Sequence, residues 1–139
     1  MSLRVLPAML LLLVAAPAPA SEGIRFVANP ALRGATIDVA EIRLAYLGEP
    51  VRVGDTPLVP VLYHRESVEE EFARGYLRRT ASQYTTYWRQ RIFSGKGSPP
   101  RSFRRIDDLL AFVRRTPGAI AVVDADSPCD GVVTLRPED

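Results

Sequence analysis

The chain has 139 residues, a hydrophobic content of 47% and a formal net charge of +2. The length and composition are those of one globular domain and leave little room for two. A net charge this small gives no reason to expect binding to nucleic acid or to a membrane surface.

The first 20 residues are predicted to be a secretory signal peptide. Arg4 precedes an apolar run, residues 5–16, that is shorter than the roughly 20 residues needed to cross a bilayer. Small residues at 18–20 then form the A-x-A pattern that precedes cleavage. We expect a mature single domain of residues 21–139, periplasmic or secreted, without a membrane span after cleavage. An uncleaved N-terminal anchor is the alternative.

Cys129 is the only cysteine, so an internal disulfide is excluded. It lies in a polar turn, where it could remain a free thiol or form an intermolecular bridge. A catalytic role is not expected, because the neighbouring acidic residues disfavour a thiolate.

The first half of the chain predicts a strand, a helix and a strand pair. Residues 24–28 are rich in strand formers and end at a turn signal. Asp38 is the expected N-cap of a short helix that stops near Gly48. Residues 50–62 read as two short strands joined by a turn, and Pro60 implies an edge position or a local distortion.

Two capping boxes predict two consecutive helices in the middle of the chain. Ser67 and Glu70 form the first, with Ser67 as N-cap, and Thr80 and Gln83 form the second. The second helix should run for about 12 residues, and residues 95–100 cannot be helical. A helical hairpin laid over a sheet is the expected arrangement.

The last part of the chain predicts a helix and two strands. Residues 106–113 have helical spacing, with acids in the first turn and arginines in the last, as the helix dipole favours. Residues 119–123 form a continuous apolar run, expected for a strand covered on both faces, and residues 132–135 form the last strand. The order β-α-β-β-α-α-α-β-β predicts an α/β domain whose mixed sheet is flanked by helices.

Two segments are candidate ligand sites. Arg65 and Ser67 could hold an oxyanion at a helix N-terminus, or they could be a solvated arginine beside a helix cap. Ser94 and Lys96 lie in a glycine-containing loop, residues 94–98, that could contact an anion or a partner, or could simply connect two helices. Its spacing is not that of a P-loop.

No enzyme, metal or cofactor is predicted. His64 is the only histidine, which leaves a zinc site without a second imidazole. No carboxylate pair is placed for acid–base chemistry, and no Ser/His/Asp combination has a supporting motif. Tyr84, Tyr87 and Trp88 recur at helical spacing and are expected in the core rather than on a stacking platform.

Several segments in order resemble the phosphate-binding branch of the periplasmic solute-binding superfamily, the exported receptors of phosphate ABC transporters. The matching pieces are Tyr87-Trp88, Phe93-Ser94-Gly95-Lys96-Gly97, Pro99-Pro100 and Thr116-Pro117-Gly118-Ala119-Ile120. The resemblance extends over most of residues 21–139 and includes the family's short members, about one lobe long. It implies one lobe of a type II periplasmic-binding-protein-like fold.

The resemblance implies inorganic phosphate or a similar oxyanion as ligand, and an ABC permease or another envelope protein as partner. The family's anion segment falls at residues 63–67, where this chain has one hydroxyl, one arginine, an acid and no glycine. Anion binding is therefore expected to be weak or degenerate. The alternative is a periplasmic interaction or regulatory domain that keeps the fold without binding a ligand.

Overall fold

A five-stranded mixed sheet is the centre of the computed structural model, which describes residues 23–139. The predicted signal peptide, residues 1–20, lies outside the described residues. Among the helices of residues 23–139, none has both the length and the apolar character needed to cross a membrane.

Seven strands and four helices are interspersed along the described part of the chain. The strands are β1 (Ile24–Ala28), β2 (Arg52–Val53), β3 (Thr56–Pro57), β4 (Val59–Tyr63), β5 (Arg101–Phe103), β6 (Ala119–Asp124) and β7 (Val133–Leu135). The helices are α1 (Val39–Tyr46), α2 (Glu66–Phe72), α3 (Ala81–Phe93) and α4 (Ile106–Arg115). A 3-10 turn, Pro30–Leu32, follows β1, and a π-helical turn, Ala73–Leu77, extends α2.

The sheet has the order β5-β4-β6-β1-β7. Strand β4 pairs in parallel with both β5 and β6, whereas β1 is antiparallel to β6 and β7. The short strands β2 and β3 form a separate hairpin. The predicted α/β class, with a mixed sheet flanked by helices, is confirmed.

Helices cover both faces of the sheet. Leu62 of β4 borders a groove together with α3, whereas the next residue, Tyr63, borders a depression together with Ile106 of α4. Because successive side chains of a strand point to opposite faces, α3 and α4 lie on opposite sides of the sheet. This arrangement is the one that right-handed crossovers produce when successive connections run in opposite directions across the sheet.

Strand β6 is the buried centre of the fold. Each residue from Ala119 to Val123 is at most 1% exposed, which confirms the prediction of a strand covered on both faces. On the α2 face an aromatic cluster packs against the sheet: the ring of Phe72 lies 6.0 Å from that of Phe26 and 4.6 Å from that of Tyr46. Tyr84 and Trp88 are buried as expected, whereas Tyr87 is only partly buried and packs against the core.

Helix capping confirms two predictions and corrects a third. Asp38 with Glu41, and Thr80 with Gln83, form reciprocal capping boxes. The prediction that Ser67 is an N-cap is wrong, because α2 begins at Glu66 and Ser67 is an exposed residue of its first turn. Tertiary contacts account for the earlier start.

Both acids that could have bonded back to the helix start are engaged elsewhere. Glu69 contacts His64 at 2.9 Å, and Glu70 pairs with Arg74 at 3.2 Å. The backbone at 64–65 is held by bonds from His64 N–H to the Phe103 carbonyl and from Arg65 N–H to the Tyr63 carbonyl. The pairing of β4 with β5 therefore fixes where the helix starts.

Pro60 lies in an interior strand, so of the two predicted alternatives, an edge position or a local distortion, the edge position is wrong for the strand as a whole. The Val59 N–H donates to Gly118 on the β6 side, and successive amides of a strand point to alternate sides. The ring nitrogen of Pro60 therefore faces the β5 side, where pairing begins only at Val61 with Arg101. The position at which Pro60 lacks an N–H donor therefore lies beyond the end of β5, where no hydrogen bond to that strand is required. That three-residue strand was not predicted, because two of its residues are polar and exposed and one apolar residue gives no strand pattern.

Candidate functional site

One edge of the sheet gathers strand ends and helix starts. The parallel strands β4 and β6 end there at Tyr63 and Asp124, and α2 and α4 begin beside them. In open α/β sheets, ligands bind outside the carboxyl ends of the parallel strands, where successive connections diverge. This carboxyl edge is therefore the first place to examine for a site.

Arg65 and Asp124 meet at this edge. The Arg65 Nη1 and Asp124 Oδ2 atoms lie 3.1 Å apart, with the two side chains 59% and 25% exposed. The contact is an ion pair without hydrogen-bond alignment: among the described residues, Asp124 Oδ2 is shielded from solvent and accepts no hydrogen bond. A carboxylate oxygen with unused acceptor capacity thus lies beside an exposed guanidinium.

Two depressions flank this pair. One, of about 270 Å³, is lined by Tyr63, Arg65, Ile106, Asp124, Asp126, Ser127 and Pro128. The other, of about 300 Å³, is lined by Gly23, Ile24, Ser67, Val68, Glu71, Asp124 and Asp126. Asp124 and Asp126 border both. Charge at the edge is therefore mixed, with several carboxylates around the guanidinium.

The candidates Arg65 and Ser67 thus lie close to one another but open onto neighbouring depressions. Ser67 lies on the exposed side of the α2 start, and its hydroxyl does not cap the helix. The loop after β6 contributes Ser127, whose carbonyl accepts a hydrogen bond from Arg25. Ser127 also lines the Arg65 depression.

Ser94 and Lys96 lie away from this edge, in the segment that leads into the start of β5. Gly95, at φ +69°, is the left-handed residue of a Schellman motif that ends α3. Its N–H donates to Ile92 and that of Lys96 donates to Arg91, while the Ser94 hydroxyl donates to Gln90. These donors satisfy helix carbonyls, so the backbone amides at 95 and 96 are not available to an anion.

Asp124 and Ser127 were not among the candidate site residues. Asp124 ends an apolar strand that the sequence marks as core, and nothing near it in sequence points to Arg65. Its position opposite Arg65 follows from the register of β4 with β6, in which Val61 pairs with Ala121. Long-range register of this kind has no local sequence signal.

Within residues 23–139, no group of three or more His, Cys, Asp or Glu side chains is placed to hold a metal ion. Cys129 is exposed. The buried hydroxyls of Tyr46 and Tyr84 have structural partners: burial raises the pKa of both groups, and both hydroxyls donate to backbone carbonyls.

Comparison with known proteins identifies the fold of the chain but not an activity. No protein-family model matches the chain, and no curated protein sequence matches it. Among solved structures, it is similar to an ABC-type phosphate transport receptor from Vibrio cholerae, with a TM-score of 0.54 and 12% sequence identity over 83% of this chain. The match spans 46% of the receptor chain, less than half its length. The chain therefore shares a periplasmic-binding-protein fold with part of that receptor.

Proposed function

We propose that this protein is an exported domain that binds phosphate, or a closely related oxyanion, weakly at the Arg65–Asp124 pair. The observation that carries the proposal is the exposed Arg65 guanidinium 3.1 Å from the Asp124 carboxylate at the carboxyl edge of the sheet. The likeness to part of a phosphate receptor supports the same ligand class.

The pairing of a guanidinium with a carboxylate favours a protonated oxyanion. Arginine offers several N–H donors in a planar fork that suits phosphate oxygens. The Asp124 carboxylate, whose side chain is 25% exposed, can only accept a hydrogen bond, and hydrogen phosphate still carries a P–OH donor near neutral pH. Sulfate has no such hydrogen and would be repelled by the carboxylate. The Ser127 hydroxyl is a further donor at the rim of the Arg65 depression, and the Ser67 hydroxyl borders the neighbouring one.

Weak binding is expected for two reasons. Asp124 already engages Arg65, and Asp126 adds a second negative charge next to it. Two or three charge-assisted bonds, each worth about 1.5 kcal/mol net, give roughly 4 kcal/mol, or a Kd on the order of 1 mM.

Export is the second part of the proposal, and it rests on the predicted signal peptide. Fractionation of cells that express the full chain, with mass spectrometry of the N-terminus, tests it directly. We expect a periplasmic species beginning at Ser21. A protein that keeps Met1 and stays in the cytoplasm would overturn export without touching anion binding. An ABC permease is the partner we expect for an exported receptor-like domain.

Thermal unfolding of the purified protein tests the binding. At 10 mM phosphate and a Kd of about 1 mM, linkage adds about 1.4 kcal/mol, which raises Tm by about 5 °C for a domain of this size. Sulfate at equal ionic strength should give a clearly smaller shift. Arg65→Ala should abolish the phosphate shift, whereas Arg33→Ala, at an exposed arginine of the loop after β1, should keep it. An unchanged shift in Arg65→Ala would place binding elsewhere.

A second candidate function is a protein-interaction domain, favoured by one observation at the end of α3. Phe93 is 95% exposed and Ile92 is 52% exposed, next to a chain reversal fixed by the Schellman bonds. A rigidly presented aromatic side chain is typical of a contact surface. Photo-crosslinking from position 93 in the periplasm should yield an adduct with an ABC permease or another envelope protein; its absence, with phosphate binding intact, favours the first function.

A further inference from the structure

A groove on the α3 face is separate from the Arg65 site. It has a volume of about 360 Å³, in the usual range for small-molecule sites. The lining residues are Leu62, His64, Glu69, Phe72, Ala81, Tyr84, Thr85, Trp88, Arg89, Ile92 and Pro99. His64 borders this groove while its neighbour Arg65 borders the anion depression.

Apolar side chains make up most of the groove. Phe72 and Trp88 are 1% and 5% exposed, so their contribution is a preformed wall that belongs to the core. Ile92 is half exposed and Pro99 is exposed, which leaves the outer part open to solvent. A ligand with an apolar body would remove this surface from water, at about 25 cal/mol for each Å² covered.

Most polar groups of the groove are already paired. The Tyr84 hydroxyl donates to the Tyr46 carbonyl at 2.6 Å, and His64 Nδ1 lies 2.9 Å from Glu69 Oε1. Among the described residues, Arg89 has no acidic partner within ion-pair distance. Arg89 is therefore the charged side chain of the lining that has no partner among the described residues.

The charge around the groove is segregated. Residues 73–105, which include α3 and β5, contain nine arginine or lysine residues and no aspartate or glutamate. Glu69, on α2, is the one carboxylate of the lining, and His64 faces it. The field on the α3 side therefore favours a negative group near Arg89.

From this combination we propose that the groove binds a small amphipathic monocarboxylate, with its apolar chain along Trp88 and Ile92 and its carboxylate at Arg89. A guanidinium and a carboxylate form planar, paired hydrogen bonds, so the charged end has a defined position. A phosphate ion lacks the apolar body, and a neutral alcohol lacks the charge.

Trp88 is the only tryptophan and lines the groove, so its fluorescence reports binding. Titration of the purified protein with octanoate should change Trp88 emission in a saturable way. Octan-1-ol, matched in tail length, should bind at least ten-fold more weakly, and phosphate should leave the emission unchanged. The indole N–H and Ile92 amide signals in NMR spectra should shift with the same affinity.

Variants separate the charge from the apolar wall. Arg89→Gln should weaken octanoate binding about ten-fold, whereas Arg33→Gln should leave it unchanged. Ile92→Glu should remove binding by adding a carboxylate at the rim, and Ile92→Leu should retain it. Circular dichroism melts confirm that each variant folds. Arg65→Ala should not affect octanoate, so this test and the phosphate test can fail independently.

Three results would overturn the proposal. The first is the absence of any saturable change in Trp88 emission and NMR shifts. The second is equal affinity for octanoate and octan-1-ol, which would show that the groove binds the apolar chain and does not recognise the carboxylate. The third is a response to phosphatidylglycerol vesicles without a response to octanoate, which would indicate contact with a lipid surface instead.

Discussion

The guanidinium of Arg65 and the carboxylate of Asp124 lie 3.1 Å apart and join the ends of two neighbouring parallel strands. Arg65 is the second residue after the end of β4, and Asp124 is the last residue of β6. An exposed pair of this kind contributes at most about 1 kcal/mol to stability. The pair matters chemically because it places the N–H donors of a guanidinium and the acceptor oxygens of a carboxylate together at the carboxyl edge of the sheet.

Asp124→Asn should change anion selectivity. The carboxamide can donate a hydrogen bond where the carboxylate could only accept one, so sulfate loses a repulsion and gains a donor. We expect the phosphate-to-sulfate affinity ratio, measured by calorimetric titration, to fall about ten-fold, or 1.4 kcal/mol. Asp55→Asn, in the turn between β2 and β3, should keep the ratio. A ratio that Asp124→Asn leaves unchanged would exclude Asp124 from the site.

Tyr46→Phe should destabilise the fold, because the Tyr46 hydroxyl lies 2.8 Å from the Val61 carbonyl and 3.2 Å from that of Ile120. Removing the hydroxyl leaves the buried carbonyls of Val61 in β4 and Ile120 in β6 without this hydrogen-bond donor. We expect a loss of about 1–2 kcal/mol in the free energy of unfolding, measured by urea denaturation. A loss below about 0.5 kcal/mol would contradict a structural role for the hydroxyl.

Stability should also fall at alkaline pH. Burial raises the pKa of Tyr46 and of Tyr84 in the folded state, so folding favours the protonated phenols. Their contribution is fully present below the unfolded pKa of about 10 and is lost as the pH rises above it. Urea midpoints between pH 8 and 11 should therefore fall above pH 10, and Tyr46→Phe should flatten part of the slope. A midpoint that rises with pH would contradict this sign.

Asn29 ties the end of β1 to the end of α4. Its amide nitrogen donates to the carbonyls of Val113 and Arg114 at 2.9 and 3.0 Å, and its oxygen accepts from the Ala31 N–H. Because Asn29 is buried, Asn29→Ala leaves these groups unpaired away from water. The expected loss is about 2–4 kcal/mol by urea denaturation. Asn29→Asp keeps the shape but removes the donors, and should lose at least as much.

Gly118 allows the turn from α4 into β6. It has φ +80°, and a Cβ there would lie 2.1 Å from the Pro57 carbonyl oxygen, a backbone atom. Gly118→Ala should therefore cost more than the 1–2 kcal/mol of left-handed strain alone, and we expect about 4 kcal/mol or loss of folding. Gly34→Ala is the matched control, with φ +74° and no atom within 4 Å of its Cβ. Equal melting points for the two variants would refute the clash.

Local signals made much of the fold predictable. The Asp38 cap, the Thr80–Gln83 box and the apolar run at 119–123 each depend on residues within a few positions of one another, and each is found as expected. The Ser67 box fails because Glu70 pairs with Arg74 and the pairing of β4 with β5 sets the helix start. The edge position expected for Pro60 is wrong for a related reason: strand β5, which makes β4 an interior strand, was not predicted.

The candidate site was only partly predictable. Arg65 and Ser67 stand close to each other because they share one helix start, whereas Asp124 joins them through strand register that no local pattern encodes. The loop at 94–98 looked like an anion cradle because glycines can expose N–H groups. In the fold, Gly95 ends α3 and its amide is used there.

A phosphate titration followed by amide NMR tests the central claim most directly. With phosphate up to about 20 mM, we expect saturable shifts confined to Tyr63, Arg65, Asp124 and Ser127, with sulfate weaker and the amides of residues 94–98 unmoved. Shifts centred on residues 94–98, or no shift at any concentration in a folded protein, would contradict binding at the Arg65–Asp124 edge.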